Sequence, residues 1–341
     1  MSDFRPNEPN ENVKFAVLGG GAWGTALASV VARKAAQSVT LWAREPETVE
    51  AINARHENEL FLKGISLPET ICASDDFAAL GDADIVLMVV PAQFARAVLK
   101  EVAPLLKDTA SLVLCAKGIE QSSLKLMSDV AAEFWPRTQI AVLSGPSFAA
   151  DVARGQPTAV TLACADEARG MYLCDMIGAP AFRPYYTDDI IGAEIGGAMK
   201  NVLAIACGIV AGKALGESAR AAVTARGFAE MGRLGAALGA HGETLGGLSG
   251  LGDLILTCSS DMSRNFSLGR ALGEGQKAAD ILAARRSVSE GAMSAEAVVA
   301  LADKHDLDLP ICAAVHAILS GAVSVDTAIT NLLARPFTHE I

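Results

Sequence analysis

The chain has 341 residues, 51% of them hydrophobic, with a mean hydropathy of +0.33. At about 150 residues per domain this length predicts two domains with a sizeable core, not a disordered chain. Twenty-eight basic against 39 acidic residues give a net charge of −11, which argues against nucleic acid or an anionic membrane as main partner. A small anion in a local pocket of Lys and Arg stays compatible with that balance. The seven cysteines form no CxxC pair and several lie in apolar runs, so they read as reduced core residues in a reducing compartment. Residues 1–12 are polar with no apolar signal region, and read as a flexible tail. The longest uncharged apolar stretch, between Lys200 and Lys213, is shorter than the roughly 20 residues of a membrane span. The expectation is therefore a cytoplasmic protein with no integral membrane segment.

In chain order, Val13–Leu18, Val39–Ala43, Ile85–Val90, Ser111–Cys115 and Ile140–Leu143 are apolar without alternation, the pattern of strands covered on both faces. Helical patterns over Trp23–Lys34, Pro46–Asn53, Phe94–Ala103 and Ser122–Phe134 lie between them. This alternation predicts an α/β, Rossmann-like doubly wound parallel sheet over residues 13–190, with Val160–Ala163 and Phe182–Tyr185 as added strands. The texture then becomes rich in Ala, Leu, Gly and Met. Candidate helices are Asp188–Ala211, Ser218–Leu238, a segment near Gly252–Thr257, Phe266–Gly273, Ala278–Arg285, Ala292–Lys304, Pro310–Ser320 and Val325–Leu333. An all-helical domain over 191–341 follows, and the cleft between the two is the expected ligand site.

The motif G-x-G-x-x-G runs from Gly19 to Gly24, directly after a strand pattern and at the start of a helix. In a dinucleotide fingerprint Gly19 allows the tight turn, Gly21 the approach of a pyrophosphate, and Gly24 close helix–sheet packing. At the end of the second strand the slot for a ribose-binding carboxylate falls on Ala43 or Arg44. A cation there suits a 2′-phosphate and favours NADPH; Glu45 beside it keeps NAD open, and a solvated loop arginine is the bland reading. Pro91–Phe94 and Ala116–Gly118 follow buried strands, where open α/β sheets bind ligands. Lys117 is thus either a cation aimed into the cleft or a turn residue. The loop Ser144–Ala149 can approach a ligand with N–H and O–H donors or simply cap a helix.

In the second half, Lys200 sits in a helix of nearly uniform apolarity, and must either snorkel to water or point into a polar cavity. Burial lowers a lysine pKa toward the range a general acid/base needs. Asp253 stands in a glycine-flanked turn among apolar residues, and Ser263-Arg264-Asn265 precedes a helical pattern with a fork suited to phosphate. The five histidines show no ligand spacing, so no metal site is expected.

The runs GGGAWGTALA, LWAR, VVPAQF, AKGIE, SGPSFA, GGAMKNVLAIACG, TARGFAEMGRLGAALGA, GLSGLGDLILTC, SRN and VSEG occur in this order. Together they resemble the bacterial NAD(P)-dependent glycerol-3-phosphate dehydrogenase family over residues 14–335. The resemblance implies a homodimeric oxidoreductase interconverting dihydroxyacetone phosphate and sn-glycerol 3-phosphate for phospholipid synthesis. It implies Lys200 as the catalytic lysine. Lys117, Gly145, Ser147, Asp253, Ser263, Arg264 and Asn265 match substrate-contacting positions. Ala22, Trp23, Arg44, Lys117, Ala149, Arg264, Val288 and Glu290 match cofactor-contacting ones. Ala22 departs from a serine of some members, and Gly20 from the usual alanine. A related two-domain dehydrogenase of 3-hydroxyacids or ketopantoate is the nearest alternative. A non-catalytic dinucleotide sensor would leave Lys200, Asp253 and Arg264 without a purpose.

Overall fold

The computed structural model describes residues 13–35, 38–284, 289–337 and 339. Eight strands form one sheet: β1 (Phe15–Leu18), β2 (Val39–Trp42), β3 (Ile71–Ser74), β4 (Ile85–Met88), β5 (Ser111–Leu114), β6 (Ile140–Ser144), β7 (Thr158–Cys164) and β8 (Phe182–Thr187). Helices associated with the sheet are α1 (Ala22–Ala35), α2 (Pro46–Arg55), α3 (Ala92–Val102), α4 (Met127–Ala131), α5 (Ala149–Ala153) and α6 (Glu167–Ile177). Those that follow are α7 (Ile190–Gly212), α8 (Glu217–Leu238), α9 (Gly242–Gly246), α10 (Asp253–Cys258), α11 (Arg264–Gly273), α12 (Ala278–Ala284), α13 (Glu290–Lys304), α14 (Pro310–Leu319) and α15 (Val325–Leu333).

The strand order is β3-β2-β1-β4-β5-β6-β7-β8, with Phe15 in register with Val39 on one side and Ile85 on the other. Strands β1, β4, β5 and β6 are buried throughout, which is why they read as unbroken apolar runs. Three expectations are corrected. The edge strand β3 was not anticipated; its burial alternates along four residues, too short a signal to read. The pair β6–β7 is antiparallel: five-residue α5 packs on α1 and returns the chain without a long crossover. Only Met127–Ala131 of the expected helix Ser122–Phe134 is helical, because residues 119–126 form a tight loop with Leu124 at φ 57°.

Helix α7 is the axis of the second half, with α8, α10, α11 and α13 packed around it. At 23 residues it is long and apolar enough to cross a membrane, which the shorter 200–213 stretch did not suggest, but 83% of its most apolar window is buried inside the protein. Its start is fixed by the Asp189 carboxylate, which accepts from Gly192 N and His241 N, each at 2.8 Å. Two G-x-x-x-G spacings, Gly208/Gly212 on α7 and Gly269/Gly273 on α11, let these backbones touch. A Cβ at Gly269 would lie 2.0 Å from the Ile205 carbonyl oxygen, and one at Gly208 would lie 2.1 Å from that of Phe266. This contact sets α11, and hence Ser263-Arg264-Asn265 at its N-terminus, against the turn of α7 that carries Lys200.

Gly269→Val forces these helices apart, and overpacking of this kind costs about 1–3 kcal/mol or more. The expected outcome is a lower urea midpoint at unchanged denaturant slope; an unchanged midpoint would mean the helix pair accommodates a side chain.

Candidate active site

At the end of β1, Gly19 has φ +128°, and a Cβ there would stand 3.0 Å from the Val89 carbonyl. A Cβ at Gly24 would fall 1.9 Å from the Gly19 carbonyl oxygen, so helix α1 lies directly on the turn. At Gly21 the opposite holds, since nothing lies within 4 Å of a built Cβ. Its glycine answers no packing demand of the protein and keeps open the space over the first turn of α1, where free N–H groups favour an anion. The loop therefore fits a dinucleotide pyrophosphate. Ala22 and Trp23 open α1, and the partly buried Trp23 ring lies 6.5 Å from Phe182. Buried Asn58 ties the loop down, donating to Gly20 O and Thr25 Oγ1, both at 2.8 Å. Arg44 follows β2 with its side chain 76% exposed, donating to Glu45 Oε1 at 2.8 and 3.2 Å.

A second centre lies where β5, β6, α7 and α10 meet. Lys117 Nζ donates to Asp253 Oδ2 at 2.6 Å and to Gly145 O at 2.9 Å. Lys200 Nζ stands 3.1 Å from Asp253 Oδ1 and donates to Thr257 Oγ1 at 3.0 Å. Thr257, one helical turn after Asp253, donates to Oδ1 of that carboxylate at 3.2 Å. Asp253 is 1% exposed and Lys200 is 9% exposed, so this lysine does not snorkel to water but turns inward to polar partners, Asp253 and Thr257. Burial lowers the Lys200 pKa, and the Lys117 charge adds to that, while Asp253 and Glu290 oppose it. Burial pushes the Asp253 carboxyl up, but Lys117 and Lys200 outweigh it and hold the group below the usual carboxylate range.

Around this centre the Gly145 carbonyl also accepts from Ser147 Oγ at 2.9 Å, and Gly145 itself has φ +150°. Ser263 Oγ caps α11, accepting from Phe266 N at 3.2 Å. Arg264 stands exposed at the first position of α11. Asn265 Nδ2 donates to Asn201 Oδ1 at 2.9 Å, and Asn201 Nδ2 donates to Lys117 O at 3.2 Å. Direct bonds thus join Lys117, Gly145, Ser147, Lys200 and Asp253, and Asn265 reaches Lys117 through Asn201. Ala149 opens α5, and Glu290 opens α13, where its carboxylate accepts from Ala92 N at 3.4 Å. Val288 lies outside the described residues. Asn58, Asn201 and Thr257 were not singled out from the sequence. Asn201 and Thr257 stand in the runs GGAMKNVLAIACG and GLSGLGDLILTC, but only packing reveals what they bond.

A dinucleotide loop on a Rossmann-type sheet and a buried lysine–carboxylate centre against a helical domain define an NAD(P)-dependent dehydrogenase. Family models described as NAD-dependent glycerol-3-phosphate dehydrogenase N-terminus and C-terminus match residues 14–170 and 189–330. Proteins named glycerol-3-phosphate dehydrogenase (NAD(P)+) from Parvibaculum lavamentivorans and Caulobacter vibrioides are each 60% identical over 96% of this chain and 98% of theirs. The crystal structure of glycerol-3-phosphate dehydrogenase from Coxiella burnetii superposes with a TM-score of 0.90 at 40% identity, covering 95% of this chain and 100% of that one. The chain belongs to the NAD-dependent glycerol-3-phosphate dehydrogenase family.

The lowered pKa of Lys200 has a consequence for stability. A lysine whose folded pKa lies below its unfolded value disfavours the fold while it is charged, and this penalty fades as pH rises toward the ordinary lysine value of 10.5. Lys200→Met removes it and leaves Asp253 paired with Lys117, so the thermal midpoint at pH 7 should equal or exceed that of wild type. A drop of several degrees would show that the Lys200–Asp253 pair is a net source of stability.

Proposed function

We propose that this protein reduces dihydroxyacetone phosphate to sn-glycerol 3-phosphate with NAD(P)H, reversibly, as a supply for glycerophospholipid synthesis. The observation that carries the reading is the buried Lys200 ammonium, held at 3.1 Å from Asp253 in a family of this activity. Gly19, Gly21, Ala22, Trp23 and Gly24 would hold the dinucleotide, with Arg44, Lys117, Ala149, Arg264, Val288 and Glu290 as further contacts. When bound, the nicotinamide supplies the hydride that C2 of the ketone gains. Negative charge develops on the ketone oxygen as C2 is reduced, and the Lys200 ammonium stabilises it and passes over a proton. In oxidation the neutral amine takes that proton back. Asp253 and Thr257 fix the amine, and Lys117 adds positive field. Arg264, with Asn265, Ser263, Ser147 and the Gly145 loop, would anchor the substrate and its phosphate, fixing C2 in place.

Arg44 supports a preference for NADPH, since a guanidinium after β2 suits a 2′-phosphate. The all-reduced cysteines support a cytoplasmic setting, and the family resemblance supports a homodimer without a membrane segment. The end of β8 at Thr187 and the start of α7 at Ile190 support a dinucleotide domain over 13–190 and a helical domain over 191–341.

The deciding assay follows NADPH oxidation with dihydroxyacetone phosphate. Wild type should turn over, and Lys200→Met should lose about 10²–10⁴-fold, the scale of an acid/base group. Arg264→Lys keeps the charge but loses the fork, so kcat/KM should fall substantially. With plain dihydroxyacetone, which lacks the phosphate, wild type should be very poor and Arg264→Lys no worse. Equal damage to both substrates would move Arg264 from phosphate binding to the cofactor or the fold.

A further inference from the structure

The motif Pro91–Phe94 at the start of α3 has no part in the mechanism above, yet the structure gives one of its side chains a specific task. Lys117 sits at the root of the loop 117–126, whose own geometry is tight. Glu120 N donates to Lys125 O at 3.0 Å, Leu124 N donates to Glu120 O at 2.8 Å, and Leu124 is left-handed. From the far side Ile119 and Leu126 are buried among the apolar side chains of the helical half. From the near side α3 grips three successive residues. Gln93 Nε2 donates to Ile119 O at 2.7 Å, and Gln93 Oε1 accepts from Gln121 N at 3.0 Å. Between them, Arg96 makes a fork onto Glu120, with Nε to Oε1 at 2.8 Å and Nη2 to Oε2 at 2.9 Å. Glu120 also accepts from Ser123 Oγ, and Arg96 from its other edge meets Glu133.

A lysine side chain has many rotamers, so a fixed ammonium requires a fixed backbone beneath it. The Lys117 ammonium is held at 2.6 Å from Asp253 and at 2.9 Å from Gly145 O, and its carbonyl is held by Asn201. The next residues of the loop, 119–121, are the ones α3 holds. We propose that Gln93 and Arg96 are positioning residues of the reduction, holding the loop that seats the Lys117 ammonium against Asp253. The Arg96 hydrogen bonds keep the Glu120 carboxyl below its ordinary range, so the fork is an ion pair at neutral pH. The proposal rests on the reading of Lys117 and Lys200 as the cations of the reaction.

The consequence is electrostatic. Charged groups facing Lys200 are Asp253 on α10, Lys117 after β5 and Glu290 on α13; the Cys258 thiol on α10 also lies within its field. The Lys117 ammonium opposes protonation of Lys200, so a Lys117 that swings away leaves Asp253 to Lys200 alone and raises the Lys200 pKa. Reduction requires protonated Lys200 and fails as pH rises through that value.

The test measures kcat, KM and the pH profile of dihydroxyacetone phosphate reduction in the full-length protein, with the thermal midpoint alongside. Gln93→Ala removes both loop bonds, and Arg96→Lys breaks the fork; neither changes the net charge, so long-range field effects are excluded. A misplacement of about 1 Å costs up to about a hundredfold, so kcat/KM should fall roughly ten- to a hundredfold in Gln93→Ala. The high-pH limb should move to higher pH, as in Lys117→Met, and Arg96→Lys should show the same change in smaller measure. A lowered thermal midpoint with the limb and kcat unmoved would overturn the proposal, leaving α3 a purely structural clamp. If Lys117→Met moves the limb and Gln93→Ala does not, the clamp alone is wrong. If Lys117→Met leaves the limb in place, the reading of Lys117 fails and the positioning role goes with it.

Discussion

One buried carboxylate organises this protein. Asp253 is 1% exposed and is bonded by two ammonium groups that arrive from different parts of the fold, Lys117 from the sheet and Lys200 from the helical half. Two lysines cannot share a buried pocket without a counter-charge, because each would lose hydration and repel the other. Asp253 compensates both, and in doing so joins the carboxyl end of the sheet to helices α7 and α10. Burial thus lowers the Lys200 pKa while the Asp253 carboxylate tethers the ammonium and favours its charge, the combination a proton donor to a developing alkoxide needs.

The rest of the architecture serves to deliver groups to that point. The glycine contact between α7 and α11 brings Asn265 to within 2.9 Å of Asn201, next in chain to Lys200. The Asn201 amide then reaches back to the carbonyl of Lys117, so one chain of hydrogen bonds runs from the N-terminal end of α11 to the residue that follows β5. On the other side the open space at Gly21 and the first turn of α1 form an anion cradle.

Much of this was legible in the sequence because burial leaves a mark on composition. Strands β1, β4 and β5 are covered on both faces and read as apolar runs, and Lys200 stands out as the one charged residue between Glu194 and Lys213 in a nearly uniformly apolar stretch. What escaped had weaker marks. Edge strand β3 is four residues of alternating burial; strand direction at β6–β7 leaves no periodicity; and the apolar Leu124 and Leu126 imitate an earlier start of α4 that the left-handed Leu124 forbids. The partners of Asn201, Thr257 and Asn58 are set by helix packing across long stretches of chain, which no local pattern encodes. The pairing of Arg44 with its neighbour Glu45 is equally silent, although both residues stand at the slot where a ribose would bind.

The most direct test of this account is the pH profile of kcat/KM for reduction in wild type and in Asp253→Asn. In wild type the activity should fall as pH rises through the Lys200 pKa, which burial holds below the ordinary lysine value of 10.5. Removing the Asp253 charge takes away the group that favours the ammonium, so the falling limb should move to lower pH. A limb that stays in place, or moves to higher pH, would contradict the claim that Asp253 holds the charge on Lys200.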